Sequence, residues 1–437
     1  MKQNPIKVAS LSIQHVLAMY AGAILVPLII GSSLHMTGKQ LTYLVSMDIL
    51  TSGIATILQV WQNRFTGIGL PIILGCTFTA VGPIIEIGSQ YGLSAIYGSI
   101  IMSGLIVILI ANFFGKLIKF FPPVVMGSVV TIIGMTLIPV AMNNVAGGVG
   151  SPDFGANSNL ALAFGTLIFI IALYRIFKGF IRSIAILLGL IAGTAAAYFM
   201  GKVNFSAVSD ASWFHMVKPM YLATPSFHLV PILIMTVVAI VSLIESTGVY
   251  FALSDITGRK LTEKDLVKGY RAEGFASILG GLFNSFPYTS YSQNVGLVQL
   301  SGGKEKNVIY TVGGMLVFLG FVPKIAALTQ IIPTSVLGGA MLAMFGMVVA
   351  AGIKILSKVD FSSQENLLII ACSVGMGLGV TTVPNLFSHM PATVKILSNS
   401  GIVAGSLTAI LLNLIFNVLK STKKNQSLSQ TNNQTVA

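Results

Sequence analysis

The stretch FNSFPYTSYSQNVGLVQLSGG, residues 283–303, interrupts a chain that is otherwise largely apolar. Between Pro287 and Ser292 it places one proline, three small hydroxyls and two tyrosines, and the amides of Gln293 and Asn294 follow. Apolar runs flank it on both sides. Non-helical backbone at membrane depth is tolerated only where it packs in protein or lines a cavity. The spacing therefore predicts extended backbone near 288–292 and a half-helix starting near Gln293, with free N–H groups and the positive end of the helix dipole turned toward that cavity.

The surroundings bear out a membrane setting. The chain has 437 residues, 54% hydrophobic and 8% charged, where a soluble domain carries about a quarter charged residues. Runs of about 20 apolar residues recur, each long enough to cross a bilayer as a helix. The alternation of a membrane β-barrel is absent. Cys76 and Cys372 both lie in apolar runs, which fits neither a disulfide nor a metal-ligand spacing, and no cofactor is implied. The first apolar run, Val8 to Ile30, is too long for a signal-peptide core and is read as a first span. The polar tail Ser421 to Ala437 reads as disordered.

Fourteen spans follow: 8–30, 41–61, 68–88, 94–113, 120–142, 158–175, 183–200, 228–252, 269–285, 288–302, 308–322, 331–351, 366–383 and 398–418. With both termini cytoplasmic, twenty of the 25 Lys and Arg fall on the inside, the bias that orients membrane proteins. The net charge of +13 therefore reads as orientation and not as nucleic-acid binding. The long extracellular connection 201–227 divides the chain into two sets of seven. An odd number per half makes the second half enter inverted, a common transporter plan. Span five opens on Pro122-Pro-Val-Val-Met-Gly127 and span twelve on Pro333-Thr-Ser-Val-Leu-Gly338, a faint P-x-x-V-x-G echo.

The opening stretch is third in its half. Its counterpart, LPIILGCTFTAVGP at 70–83, also carries glycine, proline and threonine at its middle, which predicts extended backbone near 75–79 and a half-helix from about Ala80. Glycine and proline are frequent in membrane helices generally, but interrupted segments at matching positions of two halves point to a midplane substrate site. Few ionisable residues fall within spans. An intramembrane carboxylate is a functional candidate by default. Glu245, in VSLIESTG at 241–248, is the foremost; the alternative is a structural ion pair, yet no basic residue shares its span. His15 reads as a hydrogen-bonded packing residue ahead of a proton carrier. Glu273 reads as a surface partner of Arg271 or Lys268, and Asp48 in span two has no obvious partner. Glu86 near a span end and His389 complete the set.

The run Gln293-Asn-Val-Gly-Leu-Val-Gln-Leu-Ser-Gly302 resembles the signature of the nucleobase–ascorbate transporter family, with Ser301 where threonine is usual. Gln14-His15, Gly-Cys-Thr-Phe-Thr at 75–79 and the Glu245 segment resemble that family's spans one, three and eight. The likeness covers the whole chain except the tail and is nearest to bacterial xanthine permeases. It implies an all-α polytopic fold of two inverted seven-span repeats, with short antiparallel strands in spans three and ten. It implies a core domain (1–113 and 228–325) and a gate domain (114–200 and 326–420) that also makes a homodimer, joined by the extracellular connection 201–227 and followed by the cytoplasmic tail 421–437. By matching position, Glu245 and Gln293 would hold the substrate by side chain. Phe78 and Ser292 would offer backbone groups and a ring face. Thr77, Asn294, His15 and Glu273 would support geometry or proton coupling, and the resemblance thus reverses the surface reading of Glu273. The implied activity is uptake of xanthine with protons in the cell membrane by alternating access. Urate or uracil are the alternatives; glutamate usually stands at position 293 in uracil carriers. No H-E-x-x-H, G-x-S-G or metal-ligand cluster suggests an enzyme, and a lone midplane carboxylate beside amides suits a bound substrate better than a channel.

Overall fold

The computed structural model describes residues 5–117, 122–301, 306–383, 386–387, 389–390 and 400–419. The expected tail 421–437 lies outside the described residues. Among the described residues, nine helices are long and apolar enough to cross a membrane: Pro5–Ser33 (span one), Gly38–Val60 (two), Leu93–Phe113 within Leu93–Leu117 (four), Pro123–Val145 (five), Asn157–Ile176 (six), Leu229–Thr257 (eight), Thr334–Leu356 (twelve), Gln364–Thr382 (thirteen) and Gly401–Val418 (fourteen). The other five expected crossings are broken, short or polar. Span seven is a turn of helix, Phe180–Ser183, and then Ala185–Phe199. Span nine, Glu263–Leu282, opens on a charged turn capped by Thr262, whose hydroxyl accepts from the Asp265 N–H while Asp265 reaches back, a capping box. Span eleven, Lys306–Gly320, bends by 83° into Pro323–Ile331.

Spans three and ten are the two interrupted ones. Span three runs as β1 (Leu74–Cys76), a 3-10 turn (Phe78–Ala80) and a helix (Val81–Tyr91). Span ten runs as β2 (Tyr288–Ser290) and a helix (Ser292–Ser301). The strands pair antiparallel, with Leu74 opposite Ser290, Gly75 opposite Thr289 and Cys76 opposite Tyr288. Two outer bonds extend the ladder, Thr77 N–H to the Pro287 carbonyl at 3.0 Å and Tyr291 N–H to the Ile73 carbonyl at 3.0 Å. The extended pieces end earlier than the sequence suggests: Phe78 and Thr79 are already helical, and so is Ser292. The Thr77 hydroxyl accepts from the Thr79 N–H at 3.3 Å, and an N-cap of this kind starts the helix as soon as it is made.

The chain forms two compact units, Met1–Gly115 with Leu137–Phe345, and Lys116–Thr136 with Gly346–Ala437. Each carries one copy of the P-x-x-V-x-G contact. In the second unit a Cβ on Gly127 would meet Leu356 Cγ at 2.6 Å and the Leu356 backbone nitrogen at 2.9 Å, and in the first a Cβ on Gly338 would meet the Val145 backbone nitrogen at 2.3 Å. The same chain shift relates the two glycines and their two partners, so the faint echo marks equivalent backbone approaches in the two halves.

The long connection is sewn to the ends of the first unit's helices. The Tyr43 hydroxyl donates to the Lys218 carbonyl, Met220 N–H to Leu282 at 2.9 Å and Ser226 N–H to Ser94 at 2.9 Å. Asn284, buried and at φ 55°, accepts from the Leu222 N–H at 2.8 Å and donates to the Ala223 carbonyl at 2.9 Å. Asparagine tolerates this left-handed conformation better than most residues.

Candidate transport site

Around the strand pair, the first unit gathers nearly all the polar candidates. Span eight packs against both β2 and the 3-10 turn, which brings Glu245 close to Thr79 at the start of the first half-helix. Glu245 is partly exposed. Phe78 is 7% exposed. Its ring lies parallel to Tyr291, with centroids 6.5 Å apart, and edge-on to Phe345 at 5.8 Å. The Thr77 hydroxyl meets the Ser242 hydroxyl at 3.3 Å. Ser292, first residue of the second half-helix, is exposed. Gln293 follows it in that helix, and its side chain lies outside the described residues. One turn beyond these positions stand Gly82, Gly248 and Gly296, where an added Cβ would meet nothing within 4 Å.

Glu273 is no surface residue. It is 2% exposed, and its Oε1 accepts from the Tyr250 hydroxyl at 2.5 Å and the Ser290 hydroxyl at 3.0 Å. Tyr250 in turn accepts from the Gln59 amide at 2.5 Å. The expected local partner, Arg271, reaches outward to Asn112 at 3.1 Å and lies over the Phe65 ring. Ser246 completes the shell: its hydroxyl accepts from the Ser290 N–H at 3.1 Å and meets the Thr289 hydroxyl at 2.9 Å. A polar chain thus runs from span two through spans eight and nine to β2. Buried carboxylates are costly unless hydrogen-bonded, and this chain supplies the bonds.

His15 and Asn294 form a second pair. The Asn294 amide nitrogen lies 3.2 Å from His15 Nδ1 and 3.4 Å from the His15 carbonyl. An amide nitrogen only donates, so Nδ1 accepts in this arrangement. His15 is 1% exposed and ties span one to the second half-helix, the packing role its sequence context favours. Asp48, expected to lack a partner, has several: its Oδ1 accepts from the Tyr288 hydroxyl at 3.0 Å and the Ser285 hydroxyl at 3.2 Å. His389 is exposed and lies beyond the last residue of span thirteen. No cluster of three or more His, Cys, Asp or Glu capable of holding a metal occurs among the described residues.

Half-helices that start from paired strands beside a membrane-embedded carboxylate fit a solute carrier. A family model described as "Permease family" matches residues 6–386. The chain belongs to the nucleobase–ascorbate transporter family. It is 65% identical over 418 residues to the xanthine permease of Bacillus subtilis, covering 96% of this chain and 95% of that one. It is 63% identical over 415 residues to the uric acid permease PucK of the same organism, covering 95% and 96%. Its fold is that of the transmembrane domain of a cyanobacterium bicarbonate transporter, BicA, with TM-score 0.63 at 16% identity over 93% of this chain and 97% of the other. A nucleobase–ascorbate transporter is a multi-pass permease of two inverted seven-span repeats and not an enzyme.

Proposed function

We propose that this transporter carries an oxopurine, xanthine or uric acid, into the cell by proton symport. The observation that carries this reading is the juxtaposition of Glu245 with the start of the first half-helix. An oxopurine is a flat ring that alternates N–H donors with C=O acceptors. The carboxylate of Glu245 accepts from ring N–H groups, and the unpaired N–H groups at the two half-helix starts donate to ring carbonyls. Gln293 offers both a donor and an acceptor. Phe78 covers one ring face, and the open space at Gly82, Gly248 and Gly296 leaves room for a planar guest. A site built on such bonds rejects analogues that leave its groups unpaired.

Proton coupling is supported by Glu273, which accepts from two hydroxyls, and by Glu245, which lies beside the first half-helix; neither has an ion pair among the described residues. Residues 1–113 and 228–325 form the moving core. Residues 114–200 and 326–420 form the gate and the homodimer contact, with both termini in the cytoplasm of a cell-membrane protein. Names of relatives leave xanthine and uric acid level, so the test is competition. Labelled xanthine uptake into proteoliposomes, with an acid exterior and then with a protonophore, is measured against unlabelled urate, guanine, hypoxanthine and uracil. Inhibition by xanthine or urate with collapse under the protonophore is expected; uptake indifferent to both would sink the reading. Gln293→Glu is expected to weaken xanthine uptake more than membrane insertion, and unchanged xanthine affinity in that variant would remove Gln293 from the contacts.

A further inference from the structure

Asp48 stands outside the substrate contacts, yet its surroundings are as specific as those of Glu273. It lies at the middle of span two and is 0% exposed. Its Oδ1 accepts from Tyr288 and Ser285, and Tyr288 is held in turn by Ser285 at 2.8 Å and by Thr51. The Cys76 thiol lies near the same carboxylate but donates to the Ala23 carbonyl and meets the Tyr291 hydroxyl, both at 3.6 Å. Cys76 and Tyr288 are opposite one another in the strand ladder, so the carboxylate bonds the β2 side of that rung. Glu273 addresses Ser290, at the other end of the three-rung ladder. Residues two apart on a strand share a face, and Tyr288 and Ser290 are two apart. Thr289, on the other face, turns to span eight instead. Two buried acids therefore bracket the strand pair on one face, one from span two and one from span nine, the second helix of each half.

The other Asp48 oxygen, Oδ2, is buried and has no hydrogen-bond partner among the described residues. No cation balances it there. The titratable side chains that feel its charge are Cys76, Tyr288 and Tyr291. Several ionisable groups on the helices packed against span two are engaged elsewhere: His15 with Asn294, Arg271 with Asn112, Lys324 over the Trp213 ring, Glu273 with Tyr250 and Tyr270 with Thr247. Lys306 approaches Gly69, at the far end of span eleven from the bend, and Tyr20 donates to the Ile325 carbonyl. A carboxylate with donors on one oxygen only is satisfied differently in its charged and neutral forms, because the neutral acid needs an acceptor for its own proton.

We propose that Asp48 is a proton-linked positioning residue: it holds the Tyr288 rung as Glu273 holds the Ser290 rung, and its protonation state sets the frame on which the purine rests. The inference rests on the purine-carrier reading. Its test uses full-length protein in proteoliposomes, with labelled xanthine and uric acid as probes and external pH stepped from about 5.5 to about 8. Asp48→Asn mimics the neutral acid. It is expected to bind substrate within about threefold of the unaltered chain at the acid end and to lose most of the pH dependence of uptake. Tyr288→Phe removes a donor to the charged form, so the pH midpoint of uptake moves upward, and this shift vanishes in the Asp48→Asn background. Asp48→Glu, which keeps the acid, is expected to restore part of the pH response. A merely structural aspartate would change uptake equally at every pH. Purine uptake whose pH profile is the same in Asp48→Asn as in the unaltered chain would overturn this inference alone. If Asp48→Asn does not insert, an unmoved midpoint in Tyr288→Phe overturns it as well. Failure of the unaltered chain to take up either purine would instead overturn the carrier reading, and this inference with it.

Discussion

Tyr250 is the hinge pin of the polar chain, and removing its hydroxyl makes a calculable change. The phenol donates to Glu273 and accepts from Gln59, both at 2.5 Å, and the residue is 0% exposed. Tyr250→Phe deletes both bonds without opening a cavity. A hydrogen bond to an ionisable partner contributes about 1.5–3 kcal/mol. Glu273 keeps the Ser290 hydroxyl, which places this loss near the lower bound. The Gln59 amide, whose Oε1 already has no partner among the described residues, is left orphaned at a cost of about 1–3 kcal/mol. The sum is about 3 kcal/mol, roughly two orders of magnitude in an equilibrium constant. Gln59→Leu in the same chain removes the orphan, so the double variant is expected to recover about 1–2 kcal/mol. The assay is reversible unfolding in mixed SDS micelles followed by circular dichroism, with xanthine uptake alongside. A single variant within about 0.5 kcal/mol of the unaltered protein, or a double variant no more stable than Tyr250→Phe, would refute the bridging role.

Three further outcomes are expected. Gly338→Ala sets a methyl 2.3 Å from the Val145 backbone nitrogen and should cost about 1–3 kcal/mol, whereas Gly346→Ala, whose Cβ meets nothing within 4 Å, should leave the thermal midpoint nearly unmoved; equal midpoints would refute the close approach. Asn284→Ala releases Leu222 and Ala223 and forces alanine to φ 55°, so amide exchange across 215–226 should rise at least about tenfold; unchanged exchange would show that other contacts hold the connection. Asp265, in the charged first turn ahead of the expected crossing 269–285, is partly buried, which by itself raises its pKa. Bonds from Thr262 and the charges of Arg259 and Lys268 outweigh this and hold it below the usual carboxylate value. A lowered folded-state pKa stabilises above the unfolded value and is lost as pH falls through the folded one. Protection of amides 262–268 should therefore be steady above about pH 4 and fall below it, and Asp265→Asn should abolish that step.

The two interrupted crossings were legible because a proline beside clustered hydroxyls breaks the apolar run at matching places in the two halves, and the paired strands lie where those residues stand. Their ends were less so. Phe78 and Ser292 carry no local mark of helix onset; the Thr77 cap and the tertiary packing decide it. Glu273 invited a local reading because Arg271 and Lys268 stand close in sequence, while its true partner Tyr250 is 23 residues away on another helix. The partners of His15 and Asp48 are 279 and 240 residues distant, and no periodicity reports contacts across such separations. The glycine echo was visible as letters, but only the backbone approaches at Val145 and Leu356 give it meaning.

The ladder between β1 and β2 is made of main-chain bonds, and main chain carries no side-chain identity. A lineage can therefore exchange the residues that line the guest while the scaffold that aims the two half-helices stays intact. Selectivity becomes easy to revise and architecture hard to lose. Relatives that share most of their sequence and carry names for different purines are what such a division of labour produces. Substrate preference in this group should drift by a handful of point changes around positions 78, 245 and 292–293, with the three rungs left untouched.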